Sequence, residues 1–393
     1  MSAKIKKRFS NELENLDAAG LLRTETAVVQ TDNMEACFDG DNSALNFIGN
    51  DVLGWKSNIK VREAAKEALC SYGTGSTSSR ASIGTLDIFQ TLEEKLSGFL
   101  GLDDCIVFAS NYLANIGLFE PLTSKRDRIF IDEMCNPGLF DGARLSGADV
   151  ISYKHKDYDN LEYHLKCSQN SRFRIVVTDG IFTTDGGCAD FDRIQELKEV
   201  YDAITIVDDS LGVGILGKNG KGTFNHLQLE KKPELTTGSF TYALGNVSGG
   251  FIGGDRDLVN WLRHTSRSYL LSEPISPVNA AIVLKVLEIL EENESALESL
   301  HSISKNVKEA MLRKDWKLIE NDYPFVSINV GSTLNAQKMV ESLFEKNILI
   351  SGLCYPNTPE GASLLRINLS SNHTTAQVDK LVNSLEEAFQ IIA

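Results

Sequence analysis

A mainly parallel, doubly wound α/β sheet followed by a small α+β carboxyl-terminal domain is the fold this sequence predicts. Three observations carry it. From Cys105 onward, short continuous apolar runs alternate with helical segments, the pattern of strands buried on both faces. Beyond Leu312 the order changes to strand, helix, two short strands and a final helix, which suits a smaller α+β unit. The 393 residues are enough for one large domain and a smaller one, each with its own core.

Taken in order, Ser2–Leu22 reads as a helix, with Phe9, Leu13, Leu16 and Leu21–Leu22 recurring on one face and Gly20 as its stop. An extended stretch follows at Ala44–Ile48, then a helix at Val61–Tyr72 that ends at Gly73. Gly73–Thr85 is a polar, Gly- and Ser-rich loop holding one cation, Arg80. It is either a linker or a binding surface, since it lies between two good helices. Thr91–Leu100 is the next amphipathic helix. Seven strands are expected at Cys105–Ala109, Arg128–Asp132, Asp149–Tyr153, Arg174–Asp179, Ala203–Asp208, Glu234–Thr237 and Gly250–Ile252. The helices between them fall near Leu113–Leu122, Pro137–Ser146, Leu161–Cys167, Asp192–Tyr201 and Asp257–Thr265. Pro277–Leu312 reads as one long helical stretch, and the boundary with the small domain is expected inside it. The strands Phe325–Val330, Ile348–Ile350 and Leu364–Leu369 and the helices Asn335–Lys346 and Thr375–Ile391 complete the chain. The expected division is an amino-terminal helix and arm over 1–55, a large domain over 56–290 and a small domain over 291–393.

Composition excludes several classes. The net charge of −15 argues against nucleic acid as a partner, because phosphate binding needs clustered Lys and Arg. The one basic cluster, Lys4–Arg8, runs straight into the acidic stretch Glu12–Asp17. No apolar run approaches the ~18 residues of a transmembrane segment, and the charged first residues lack a signal-peptide core. The seven cysteines are scattered without CxxC pairing, which fits reduced thiols in a cytoplasmic protein and no metal site.

In a doubly wound sheet, ligands sit at the carboxyl ends of the strands, so the loops there are where chemistry is sought. The strand Ala203–Asp208 ends in two carboxylates, Asp208 and Asp209. Buried there, either one needs a partner: it caps a helix, or it holds a cation such as a pyridinium nitrogen. Ser110, Asn111 and Tyr112 open a helix after the first strand, where free amides hold a phosphate or Ser110 and Asn111 simply cap the helix. Arg366 lies mid-strand among apolar residues and wants a carboxylate, from the protein or from a substrate. Gly238–Gly250 packs many small residues between two strands, the mark of a tight bend or of backbone close to something.

Together these pieces resemble the α-oxoamine synthases, pyridoxal-phosphate enzymes that condense an amino acid with an acyl-CoA and release CO2. The resemblance rests on Gly73–Thr85, on Val207-Asp208-Asp209-Ser210 with Gly212-Val213-Gly214 and Gly220-Lys221-Gly222-Thr223, and on Thr178–Gly186. It rests also on Ser248-Gly249-Gly250 and on Arg366 with Ser370–Thr374. It covers nearly the whole chain and implies the fold type I aminotransferase-like architecture. It also implies cofactor-binding roles for Asn111, Tyr112, Thr183, Asp208, Ser239, Ser248, Gly249 and Gly250, and a substrate-carboxylate role for Arg366.

The departures from the family pattern cluster in one place. The cofactor lysine falls on Tyr242, and tyrosine has no primary amine for a Schiff base. The two pocket histidines fall on Asn136 and Leu211, and the Tyr of the early Asn-Asp-Tyr-Leu-Gly pattern is Val52. Within the family this is similar to the lysine-less subunit of serine palmitoyltransferase, which pairs with a lysine-bearing homologue around sites at the dimer interface. The resemblance thus implies a heterodimer with pyridoxal phosphate on the partner subunit. Ser248, Gly249 and Gly250, and the Arg80 loop, would reach across the interface, and any membrane attachment would come through that partner. Two alternatives stay open: a self-sufficient transferase taking its amine from elsewhere, and a structural homologue without catalysis.

Overall fold

The computed structural model describes residues 3–392 apart from 19–21, 23–24, 26, 29, 33, 39–42, 315, 322, 356–357 and 359. Its centre is a seven-stranded sheet built from β1 (Asp104–Phe108), β2 (Arg128–Asp132), β3 (Asp149–Tyr153), β4 (Arg174–Asp179), β5 (Ile204–Asp208), β6 (Leu235–Ser239) and β7 (Gly250–Gly254), in the order β1-β7-β6-β5-β4-β2-β3. Neighbours from β6 through β3 are parallel, because each connection carries a crossover segment long enough to return the chain to the same edge. Only β7 runs against both its neighbours, and the link from β6 is too short for a crossover helix. The strand periodicity of two then sorts side chains to opposite faces: Ile106 and Phe108 join one apolar cluster, Cys105 and Val107 the other.

The parallel strands β2, β4, β5 and β6 end at one edge in Asp132, Asp179, Asp208 and Ser239. All four are buried, so the polar groups of the site are fixed by strand ends rather than by mobile loop tips.

Several expectations are corrected. Pro277–Leu312 is two helices, Pro277–Glu292 and Ser295–Leu312. Asn293 breaks the run by turning extended, and its side chain accepts the Ser295 N–H at 2.8 Å. The first helix spans Ala3–Ala18 and buries none of its residues within the chain. Its expected stop, Gly20, and Leu21 lie outside the described residues. The strand expected at Ile348–Ile350 shortens to Ile348–Leu349, and a second strand, Ser351–Leu353, follows it in another sheet. Ile348–Leu349 pairs with Ser43–Asn46, and Ser351–Leu353 pairs with Ser363–Asn368. The short strands Gln30–Asp32 and Glu35–Cys37 add a hairpin to that first sheet, where the sequence showed only the extended stretch Ala44–Ile48. The strands Phe325–Gly331, Ser363–Asn368 and Ser351–Leu353 form the small carboxyl-terminal sheet.

The arm and the small sheet are bound together around His373. Its Nδ1 accepts the Ser370 N–H at 2.9 Å, so Nε2 carries the proton and donates to the Asn46 carbonyl at 3.3 Å. The ring stacks on Phe47 with centroids 4.2 Å apart. Burial depresses its pKa to about 4 from 6.5. The unfolded chain therefore takes up the proton first, and stability present above pH 6.5 is lost as pH falls toward 4. The loss is on the order of 3 kcal/mol. In urea denaturation, His373→Gln should show a flatter stability profile between pH 6.5 and 4 than the parent.

Candidate functional site

A cavity of about 490 Å3 opens at the carboxyl edge of the sheet. Its walls come from the loop after β2 (Glu133, Asn136, Pro137), the loop after β4 (Thr183, Thr184), the bend between β6 and β7 (Tyr242) and the small sheet (Leu353, Arg366). None of the residues lining it is a lysine.

Arg366 projects from the central strand of the small sheet and is 9% exposed. Its Nε donates to Asn368 Oδ1 at 3.0 Å and its Nη1 to the Thr183 carbonyl at 2.5 Å. The guanidinium lies over the Phe325 ring, 4.3 Å from its centroid. Among the described residues no carboxylate pairs with it. Burial lowers its pKa, opposed only by Tyr242 and Tyr323, yet a guanidinium keeps its charge. Arg366 is thus a buried cation whose charge is met by neutral oxygens and an aromatic face rather than by a paired carboxylate of the described residues. Of the two partners the sequence left open, the protein supplies neutral carbonyl and amide oxygens.

Tyr242 is half-buried on the bend between β6 and β7. Burial, first, raises the phenol pKa. Arg366 works against that, and Asp208 and Asp179 reinforce it. The hydroxyl stays protonated at neutral pH, able to donate a hydrogen bond and unable to form an imine. Trp55 holds this bend from behind, donating from Nε1 to the Ala243 carbonyl at 2.6 Å.

Asp208, at the end of β5, is 2% exposed. Its Oδ2 accepts from Asn111 Nδ2 at 3.0 Å and from Asn115 Nδ2 at 2.9 Å, and its Oδ1 accepts the Ser210 N–H at 3.0 Å and the Ser210 hydroxyl. The carboxylate is thus filled by neutral donors of its own chain, close to its capacity of about four bonds. The neighbouring Asp179 accepts the Asn136 N–H at 3.2 Å. Burial, with Asp208 next to it, pushes its pKa well up. Asp209 faces away and caps Thr223 through bonds of 2.9 and 2.5 Å, with burial raising it to about 7.

The remaining positions of the expected site divide. Asn111 stands at the helix start, and Ser110 caps that helix by accepting the Leu113 N–H. Ser239 accepts the Thr241 N–H at 3.1 Å and donates to its hydroxyl. Gly249 and Gly250 are required by packing. A Cβ on Gly250 would lie 2.5 Å from the Asn111 Cα, and one on Gly249 (φ 151°) would strike Phe240. Ser248 is exposed and gives its carbonyl to Asn279. Tyr112 is 50% exposed and donates to Asp141, a residue of the cavity wall, at 3.0 Å. Asn136 turns its side chain onto its own helix, accepting the Gly138 N–H at 2.9 Å. Leu211 is buried in the main apolar cluster. Arg80 is turned inward, away from any outer face: its Nη2 donates to Glu93 at 2.8 Å, and it lies against the Phe89 and Tyr269 rings.

Sequence reading passed over Asn115, Asp179 and Tyr323. Asn115 carried a signal, since Asn111 and Asn115 are four residues apart and share one helix face. Asp179 stands at a strand end just as Asp208 does. Tyr323 contacts this region only through the tertiary fold.

The fold and these strand-end groups define a class. Residues 43–385 match the family model for aminotransferase class I and II, and the chain belongs to that family, with the pyridoxal-phosphate fold type I. Within it the chain sits among the α-oxoamine synthases. It is 32% identical to the 2-amino-3-ketobutyrate coenzyme A ligase of Escherichia coli K12, over 98% of this chain and 97% of that protein. It is also 32% identical to the serine palmitoyltransferase of Sphingobacterium spiritivorum, with the same coverage. Among solved structures, a serine palmitoyltransferase of S. paucimobilis with bound PLP and myriocin superposes with a TM-score of 0.92. That match covers 100% of this chain and 99% of the other at 22% identity, and bears on the fold alone.

Proposed function

We propose that this chain is a lysine-less partner subunit of a serine palmitoyltransferase-like enzyme, supporting a lysine-bearing homologue in the condensation of an amino acid with an acyl-CoA in sphingoid-base synthesis. The observation that carries this reading is the cavity itself: Tyr242 and Arg366 face it and no lysine does. The residues do not fit pyridoxal phosphate held by this chain. Among the described residues no lysine lines the cavity, and Asp208 has its acceptor positions filled by Asn111, Asn115 and Ser210. Asn136 is tied to its own helix, and Leu211 belongs to the core. The cofactor of the complex is therefore assigned to the partner, with weak or no binding here.

Arg366 supports a residual ligand role, because its unpaired charge in a cavity suits the carboxylate of an amino acid. The bend Ser248–Gly250 lies beside the helix start at Asn111 and is the part a neighbouring subunit would use. The arm 1–55, the large domain 56–290 and the small domain 291–393 are the units of this reading. Among the described residues no helix is long and apolar enough to cross a membrane. The subunit is proposed to be cytoplasmic, reaching a membrane surface only through its partner.

Co-expression tests the proposal. The chain and a lysine-bearing homologue from the same cell should co-purify at equal stoichiometry, and condensation of L-serine with palmitoyl-CoA should appear only in the complex. Turnover by the chain alone, or no complex with any such homologue, would overturn it.

A further inference from the structure

Two loops wall the cavity, each tied to the sheet at its start: the Glu133 N–H donates to the Tyr153 carbonyl at 3.0 Å and the Gly180 N–H to the Asp208 carbonyl at 2.8 Å. One follows β2 and carries Asn136. The other follows β4 and carries Thr183, whose carbonyl fixes the Arg366 guanidinium. Between them stands a group that the functional reading has not used. His155 lies just past β3, the edge strand beside β2. Its Nδ1 is 2.9 Å from Oδ1 of Asp132, the last residue of β2, which also accepts the Met134 N–H of the first loop at 2.9 Å, and its Nε2 is 3.3 Å from Asp185 Oδ2 in the second loop. With a carboxylate at each nitrogen, both nitrogens are donors and the ring is an imidazolium.

The backbone and the next residue strengthen the same bridge. His155 N–H donates to Glu133 Oε1 at 3.0 Å, and Lys156 N–H donates to Asp132 Oδ2 at 2.9 Å. Lys156 Nζ reaches Asp185 at 3.2 Å. Asp185 in turn closes its loop by accepting the Gly187 N–H at 2.9 Å. The imidazole stands edge-on to Phe182, with centroids 4.4 Å apart. Three carboxylates, Asp132, Glu133 and Asp185, and one ammonium, Lys156, face the ring, so the surroundings favour its cation.

We propose that His155 is a positioning residue: as an imidazolium it clamps the loop after β2 to the loop after β4, and through Thr183 it sets the position of Arg366. This rests on the reading of Arg366 as the carboxylate-binding group. Burial alone would depress the imidazole pKa, but the hydrogen bonds and charges of Asp132 and Asp185 outweigh it and raise it to about 9. The raised value fixes the sign. The clamp is complete below pH 6.5 and is released as pH rises through about 9.

Chemical labelling of the full-length chain, read by peptide mass spectrometry, tests the clamp without a known ligand. Phenylglyoxal reports on Arg366, held by the second loop, and iodoacetamide on Cys135, buried in the first. Arg80 and Cys105, buried elsewhere, are the internal controls. In His155→Gln, Arg366 and Cys135 should label about tenfold faster relative to Arg80 and Cys105, the equivalent of about 1.4 kcal/mol. The wild type should reproduce that change between pH 8 and 10. His155→Arg, which keeps a charged fork, should hold the slow ratio across that range. Unchanged ratios in His155→Gln, or a wild-type ratio flat from pH 8 to 10, would overturn the clamp. If His155→Gln fails to fold, the wild-type pH series decides alone. Protection of Arg366 by L-serine separates the two claims. Labelling that follows His155 without serine protection keeps the clamp and removes the carboxylate reading. Protection with unchanged ratios does the reverse.

Discussion

Tyr242→Lys alone leaves this chain at least about a hundredfold below a lysine-bearing relative in condensing L-serine with palmitoyl-CoA. The substitution supplies an amine but none of the groups that would use it. A positioned acid–base group contributes about 10²- to 10⁴-fold, and in the proposed reading Asn136 and Leu211 stand where the family's histidines would. Asn136 is engaged with Gly138, and Leu211 packs in the core. Asp208 would still have to release Asn111 or Asn115 before it met a cation. Adding Leu211→His to the same chain would bury an imidazole in an apolar cluster, at a cost of about 1–3 kcal/mol unless it found a partner. On the proposed reading the pocket has diverged as a unit, and repair one residue at a time is expected to fail. A rate for Tyr242→Lys within about tenfold of the relative would refute this.

Arg80→Ala is expected to destabilise the protein by about 3–5 kcal/mol, the usual cost of leaving one member of a buried ion pair alone. The side chains of Arg80 and Glu93 are 3% and 7% exposed. Glu93 also accepts the Val107 N–H at 3.0 Å, so the pair joins the Gly73–Thr85 loop to the following helix and to β1. Burial already raises the Glu93 pKa against the pull of Arg80. Without that guanidinium Glu93 would keep only the more distant Arg263, 3.9 Å away, and the loop would lose its anchor between the Phe89 and Tyr269 rings. Urea denaturation measures the loss. Arg80→Lys should recover only part of it, because an ammonium lacks the planar fork that lies between two rings. A variant as stable as the parent would show that the loop is held by something other than this pair.

The architecture was legible where burial imposes a period. The strands β1 to β7 are continuous apolar runs, and their order as a doubly wound sheet follows from the helices between them. The two short strands before Ser43 were not legible, since three polar-rich residues carry no period. The break at Asn293 was hidden because Asn is tolerated in a helix and its extended turn is a tertiary outcome. Within the site, Asp208 and Arg366 stood out as charges set in apolar strands. What the sequence could not show was their partners. Asp208 is satisfied by amides 93 and 97 residues away, and Arg366 by a carbonyl 183 residues away. Arg80 illustrates the opposite error. A lone cation in a polar loop suggested an outer binding surface, and the fold turned it inward to a glutamate thirteen residues on.

The central claim is that this chain lacks the amine that holds the cofactor and relies on a subunit that has it. The direct measurement is borohydride reduction in the presence of pyridoxal phosphate, on the purified chain and on its complex with a lysine-bearing homologue, with the modified residue identified by mass spectrometry. The account predicts no pyridoxyl adduct and no absorbance band of a cofactor imine for the chain alone, and a single adduct on the partner's lysine in the complex. A stoichiometric adduct on any lysine of this chain would contradict it.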